Sequence, residues 1–550
     1  MGDWLTIDND GNGASNGNGF ELSNASLPVP HPDHSQYNMD GLDSNPNQSL
    51  GPPKGGCFGT RRSKIYLAVA ALVLVTGGAV GAYLTVAPQS SSVEEAESSS
   101  STSTSSTNVA GSAGVGHFAG REKLDKDSVG ANHIPSPTPE SMQYASVPTA
   151  SPGPTASNFR EIAGVIDEVA RDGGKEFKDP NSYQSRAKQW VLTQNLPVDD
   201  SSTMTMEQQA IQLYALACIY YATFSVRSEW TDVHYGLDLA LPGWYSSGGW
   251  LGSAKDVCTN WHGLTCDDQG RIFKIQLDTN GLTGAFPPEV ALLHETLNTI
   301  DLYNNMVHNV GDEGNSFFGE LTNLEYLYIG TTNFEYKGIP TALGKLTALK
   351  ELDVSYNLYF GELNGATFEN LSNLRYLAMD GNAYNSSLPI EITQLSNLEY
   401  LYAGFSFLQD NLEFVSSLPK IRELWVDDNP GLTGTIPPSI ADAGSLASFS
   451  ASNCELTGSI PTEMGSMANM VQLWLNDNNL TGQIPSEFGN IVTLQILNLQ
   501  GNELVGDVSS SICSRRRPFG RLEELGADCD GAIACDEDCC TCCGDQCSSR

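Results

Sequence analysis

Basic side chains are scarce in this sequence: 28 Lys and Arg stand against 65 Asp and Glu, a net charge of -37. A phosphate backbone is bound by basic surface, so nucleic acid is excluded as a partner. Catalytic signatures are missing as well. There is no Ser/His/Asp spacing, no zinc-ligand pattern, no nucleotide motif, and no kinase Gly-rich loop with its Lys and catalytic Asp. The expectation is a non-enzyme without cofactor or metal. Cysteine is sparse up to residue 512, after which eight of the thirteen crowd together, and such a cluster belongs to an oxidising compartment.

Long stretches also lack apolar periodicity. Residues 1–64 are dominated by Asn, Asp, Gly, Ser and Pro and are predicted to be a disordered tail. The run Asp8, Asp10, Asn12, Gly13 opens like a calcium loop, but its twelfth position is Gly19 rather than Glu. Residues 88–157, first Ser/Thr-rich and then Pro/Ser/Thr-rich, are predicted to be a disordered stalk. Between these two regions lie the uncharged residues 65–87. As a helix they would span about 34 Å, enough for the hydrocarbon core of a bilayer. Lys54, Arg61, Arg62 and Lys64 precede this segment, and the next basic residue is Arg121. Positive charge stays inside, so a single-pass, type II signal-anchor is expected, with the N-terminus cytoplasmic and residues 88–550 outside, at the plasma membrane.

What the sequence has in abundance is repetition. Units begin at Ile272, Leu297, Leu324, Leu349, Leu374, Leu398, Ile421, Leu446, Met470 and Leu494, and each reads apolar-x-x-apolar-x-apolar-x-x-Asn. The alternating middle of a unit is a strand with one face buried. A single unit cannot bury its own leucines, so the ten should stack into a solenoid with a parallel sheet. The ninth position holds Asn280, Asn305, Thr332, Asn357, Asn382, Ser406, Asn429, Cys454, Asn478 and Asn502. Small polar side chains there can satisfy backbone groups that water no longer reaches. An apolar residue followed by Pro recurs in six units, as at Ile436-Pro437 and Ile484-Pro485, and the second and sixth units depart from this step. There a longer loop or a helical turn is expected.

The strings LTGTIPPSI, LTGSIPTEM and LTGQIPSEF resemble the plant-type leucine-rich repeat, including receptor-like and polygalacturonase-inhibitor-like proteins. The fold expected is α/β: a solenoid over 272–512, a helical N-terminal cap over 158–271 and a Cys-rich C-terminal cap over 513–550. Within the N-terminal cap, one helix is expected after Asn158 as its N-cap, a second after Pro180 and a third from about Met206 to Phe224. The third is nearly membrane length, but Gln208, Gln209 and Gln212 interrupt it, and the first repeat needs a cover. The segment from Trp250 to Leu277 resembles the N-terminal cap of plant-type arrays. In that setting Cys258 and Cys266 should be bonded, with Trp250 and Trp261 packed nearby. Cap, array and span together resemble the membrane-anchored leucine-rich-repeat proteins of diatoms.

Cys513, Cys529, Cys535, Cys539, Cys540, Cys542, Cys543 and Cys547 include two overlapping C-x-x-C pairs. A zinc ribbon wants two separated pairs, so a disulfide-stapled lid is expected, with its connectivity open.

Positions three, five, seven and eight of each unit are expected on the inner face. They are rich in rings and carboxylates, among them Tyr326, Tyr328, Glu351, Asp353, Tyr376, Asp380, Tyr400, Tyr402, Glu423, Trp425, Asp427 and Trp474, and only Lys274 is basic. Aromatic residues favour strands for ordinary packing reasons, but their clustering in units three to nine points to a contact surface. Sequons at Asn370, Asn385 and Asn479 fall outside these positions. The function expected is capture of an extracellular protein, peptide or glycan on the inner face, as a receptor-like or adhesion protein. If it signals, it must do so through a partner in the membrane or cytoplasm, since the tail carries no kinase. The alternative is a cell-wall-associated inhibitor or a structural component of the cell covering, and the fold alone does not separate these roles.

Overall fold

A computed structural model describes residues 156–194, 196, 204–224, 243–310 and 315–528, together with 533–534, 539–540 and 542–543. The tail 1–64, the apolar span 65–87 and nearly all of the stalk lie outside the described residues, as do Cys529, Cys535 and Cys547. Among the described residues, no helix is long and apolar enough to cross a membrane.

Repetition in sequence becomes repetition in space. Thirteen described strands form one sheet, beginning with Leu264–Cys266 and Ile272–Gln276 and ending with Glu524–Ala527 and Cys542–Cys543. From Ile272 onward every pairing is parallel and in register, with Leu352, Leu377, Leu401 and Leu424 side by side. These leucines are fully buried, and each stabilises the stack by about 2 kcal/mol. The sheet runs further than the ten-unit reading: Glu524–Ala527 pairs with Ile496–Asn498, and Cys542–Cys543 pairs with Glu524–Ala527. The expected C-terminal lid thus begins as further turns of the solenoid, tied down by the disulfide Cys513–Cys539, whose Cα atoms are 5.0 Å apart. Cys540 is also disulfide-bonded.

The ninth-position residues form the second spine. Asn429 shows how it works. Its Oδ1 accepts from Ser406 N at 3.1 Å and Leu408 N at 2.9 Å, while its Nδ2 donates to Ala403 O and Val426 O at 2.9 Å each. One amide thereby satisfies backbone groups of two successive units that water cannot reach. Directly before it, position eight is left-handed in every unit, from Thr279 (φ 48°) through Tyr356 and Phe405 to Asp477 (φ 57°), with Gly381 and Gly501 taking the same role. This position, expected on the inner face with positions three, five and seven, is the corner where the chain leaves the sheet.

On the opposite side each of the six prolines of the Pro step caps a short 3-10 turn, as Pro437 does for Pro438–Asp442. Where Pro is missing, asparagine stands in: Asn315 precedes Ser316–Glu320 and Asn411 precedes Leu412–Ser417. The fourth unit belongs with these exceptions, its turn Gly365–Thr367 being capped by Asn364. Short parallel strands join the two sides, including the set Thr433–Thr435, Glu455–Ser459, Asn479–Gly482 and Glu503–Leu504.

Three helices cover the first repeat. The first spans Ala156–Val169, so Asn158 lies inside it and is not its N-cap; Ala156, a strong helix former, lets the helix start earlier. The second is Tyr183–Leu192, capped by Ser182. The third, Met206–Thr223, opens with a capping box between Thr205 and Gln208. Its Gln212 is buried and structural: Oε1 accepts from Ile272 N at 2.7 Å and Nε2 donates to Gly270 O at 3.1 Å. Cys258 and Cys266 are bonded, and Trp250 packs on Trp261 with ring centroids 5.1 Å apart. Tyr183 and Gln184 reach from the cap to the buried Glu289 at 3.0 and 3.3 Å.

Candidate ligand-binding face

Strand alternation turns positions three and five of each unit away from the leucines. On that face five rings touch in sequence. Tyr376 lies 6.2 Å from Tyr400 and 5.5 Å from Tyr402, Tyr402 lies 5.3 Å from Trp425, and Trp425 lies 6.3 Å from Trp474. Ring pairs at such separations contribute beyond the area they bury. Tyr326 and Tyr328 stand apart from this row, because Glu351 and Asp353 occupy the register positions between them and the strand of Tyr376.

The acidic residues divide into two kinds. Glu351 accepts the Tyr328 hydroxyl, and Glu423 accepts the Tyr402 hydroxyl at 2.8 Å, so these carboxylates fix the orientation of rings. Asp353 is fully buried, and its Oδ1 accepts from Ser355 N at 2.9 Å and Ser355 Oγ at 2.6 Å. It packs against Gly330, where an added Cβ would lie 2.4 Å from that same oxygen. Asp380 and Tyr402 are buried too, at 7% and 6% exposure. The expectation that Asp353, Asp380 and Tyr402 stand open on the surface is corrected here: neighbouring units cover them. Tyr326, Tyr328, Glu351, Tyr376, Tyr400, Glu423, Trp425, Asp427 and Trp474 are half-buried and retain accessible atoms.

Crowding of carboxylates without full hydration raises their proton affinity. Burial, then the neighbouring Asp278, pushes Asp301 up to about 7. Burial and Asp353 do the same for Asp380, and burial and Asp428 for Asp427, each to about 7. The face therefore carries carboxylates that are only partly ionised at neutral pH.

Position two of the units supplies a feature that the inner-face reading left out. Lys350 pairs with Glu325 at 2.8 Å and its Nζ lies 5.7 Å from the Tyr326 ring centre, while Arg375 and Arg422 both pair with Glu399, at 3.1 and 3.3 Å. Charges of both signs thus line the edge where the strands begin, and carboxylates dominate the edge where they end. The signal was present in the sequence as the cations that precede Glu351, Tyr376 and Glu423. The sequon residues Asn370, Asn385 and Asn479 are exposed. Among the described residues no group of three or more His, Cys, Asp or Glu is arranged to hold a metal.

Residues 347–406 match the family described as Leucine rich repeat, and residues 469–491 match the Leucine Rich Repeat family again. The chain thus carries leucine-rich repeats, and its array is similar to those of plant receptor-like proteins. Among curated relatives, Receptor-like protein 41 of Arabidopsis thaliana is 30% identical over 206 residues, covering 32% of this chain and 23% of that protein. Receptor-like protein EIX1 of Solanum lycopersicum is 28% identical over 206 residues, covering 36% of this chain and 18% of that protein. The matched part thus spans less than a quarter of each of these relatives. Among solved structures, a TDR receptor aligns at 26% identity with a TM-score of 0.41, over 44% of this chain and 40% of that one.

Proposed function

We propose that this protein is a non-catalytic recognition protein of the cell surface that captures an extracellular ligand on the ring-bearing face of its sheet. Residues 65–87 anchor it, residues 1–64 are cytoplasmic, 88–157 form a stalk, and the cap at 158–271, the array at 272–512 and the end piece at 513–550 lie outside. The observation that carries this reading is the contact row from Tyr376 to Trp474 with half-exposed Tyr400, Trp425 and Trp474. Rings held in place by neighbours lose little freedom on binding, and carboxylates beside them favour a cation. Of the extracellular protein, peptide and glycan ligands that such a face suits, this composition favours an extended peptide bearing Lys or Arg. A membrane or cytoplasmic partner then carries the signal.

The test is a random-sequence peptide array probed with the full chain and with its W425A/W474A double variant. Lys- and Arg-bearing peptides should be enriched, and the double variant should lose them at least about tenfold. Equal binding by both proteins, or enrichment of acidic peptides, would sink the proposal.

A further inference from the structure

The short strands on the far side of the array turn polar residues outward, as at Thr433, Thr435, Glu455, Thr457, Asn479 and Thr481. One strand breaks this pattern. In Leu358–Gly361 the outward residues are Leu358 and Phe360, each 43% exposed, while Tyr359 between them is fully buried. Phe360 pairs in register with Lys337 on one neighbouring strand and with Ala383 on the other. Asn385 follows Ala383 by two positions, so alternation sends its exposed side chain out on the same face as Phe360. Its N–H donates to Gly361 O at 3.1 Å, which fixes the two strands side by side at this point. With strands about 4.8 Å apart and a rise of about 3.3 Å per residue, these diagonal neighbours lie about 8 Å apart, within reach of a substituent on the Asn385 amide.

Asn385-Ser386-Ser387 is also a glycosylation sequon. We propose that Asn385 is N-glycosylated and that the first sugars of its glycan lie across Phe360 and Leu358, covering this apolar patch. A pyranose has an apolar C–H face that suits a ring, and its hydroxyls meet the polar border formed by Glu335 and Lys337, the register partners of Leu358 and Phe360. Covalent attachment holds the sugar beside the patch at high effective concentration, so weak contacts suffice to keep it there. Asn479 provides the contrast: its sequon sits beside polar Thr457, and its amide donates to Glu455 at 2.8 Å. The proposal rests on the outside placement of the array proposed above, and not on what the opposite face binds.

The test uses the full chain from a eukaryotic host, with glycopeptide mass spectrometry at Asn370, Asn385 and Asn479 and thermal unfolding followed by tryptophan fluorescence. Asn385 should be occupied. N385Q should lower Tm by about 2 °C or more, and N479Q and N370Q by less than about 1 °C. In the glycosylated chain F360S should lower Tm, and in the N385Q background it should no longer do so. Enzymatic deglycosylation of the folded wild-type chain should reproduce the N385Q shift, which covers the case of a variant that fails to fold. An unmodified Asn385, or additive Tm effects of N385Q and F360S, would overturn the proposal.

Discussion

Trp425 and Trp474 meet with ring centroids 6.3 Å apart although a whole repeat lies between their strands. The residue between them in register is Ser450, paired with Trp425 on one side and Trp474 on the other. A small side chain there leaves the space over its own strand to two indoles, which settle edge to face at 78°.

Because both indoles are half-buried, the W425A/W474A variant should lose peptide capture while keeping its fold, with Tm reduced by no more than about 4 °C. Tyr402 should behave differently. It is buried and bonded to Glu423, so Y402A should cost about 2–4 kcal/mol of stability. Thermal unfolding of both variants beside the array measurement separates recognition from packing.

Stability should fall as pH rises. Asp301, Asp380 and Asp427 have folded values near 7 against an ordinary value of 3.8. The folded state thus binds more protons than the unfolded chain between about pH 4 and 7, and stability contributed by proton binding is lost on the way up. Tm should be higher at pH 5.5 than at pH 8, by about 3 °C or more. D380N/D427N should flatten that slope; an unchanged slope would mean these carboxylates are better hydrated than their surroundings indicate.

The asparagine spine makes a paired prediction. N429A removes the partners of Ser406 N, Leu408 N, Ala403 O and Val426 O, and should destabilise by about 2–4 kcal/mol, since buried backbone groups are left unsatisfied. At Cys454 the same spine holds a thiol 3.5 Å from Val426 O. C454N should restore the amide and raise the denaturation midpoint, as read by urea titration.

Gly330 and Asp353 should be coupled. A methyl group at residue 330 meets the Asp353 carboxylate at 2.4 Å, so G330A should destabilise by about 1–3 kcal/mol. In a D353A background part of that loss should vanish, the Ser355 hydroxyl remaining 2.8 Å from the added methyl. A double-mutant cycle in urea gives the interaction directly.

The array could be read from the sequence because apolar residues play one role ten times and asparagine plays another in seven of those units, so each unit confirms the next. Position eight could not: Thr279, Asn304, Tyr356, Phe405 and Asp428 share a left-handed backbone that the turn imposes on unrelated side chains. The strand Glu524–Ala527 was hidden because its unit begins at Leu522, a longer step from Leu494 than any between the other units, and because that step runs through the first of the clustered cysteines, Cys513. The face itself was legible as composition. Which residues remain open on it was not, since Asp353 and Tyr402 are covered by residues from neighbouring repeats that share no sequence proximity with them.

The leading strand Leu264–Cys266 runs antiparallel to Ile272–Gln276, unlike every later pairing in the long sheet. The reversed strand is only three residues long and is tied down by the Cys258–Cys266 disulfide, so it offers an incoming strand few free backbone groups.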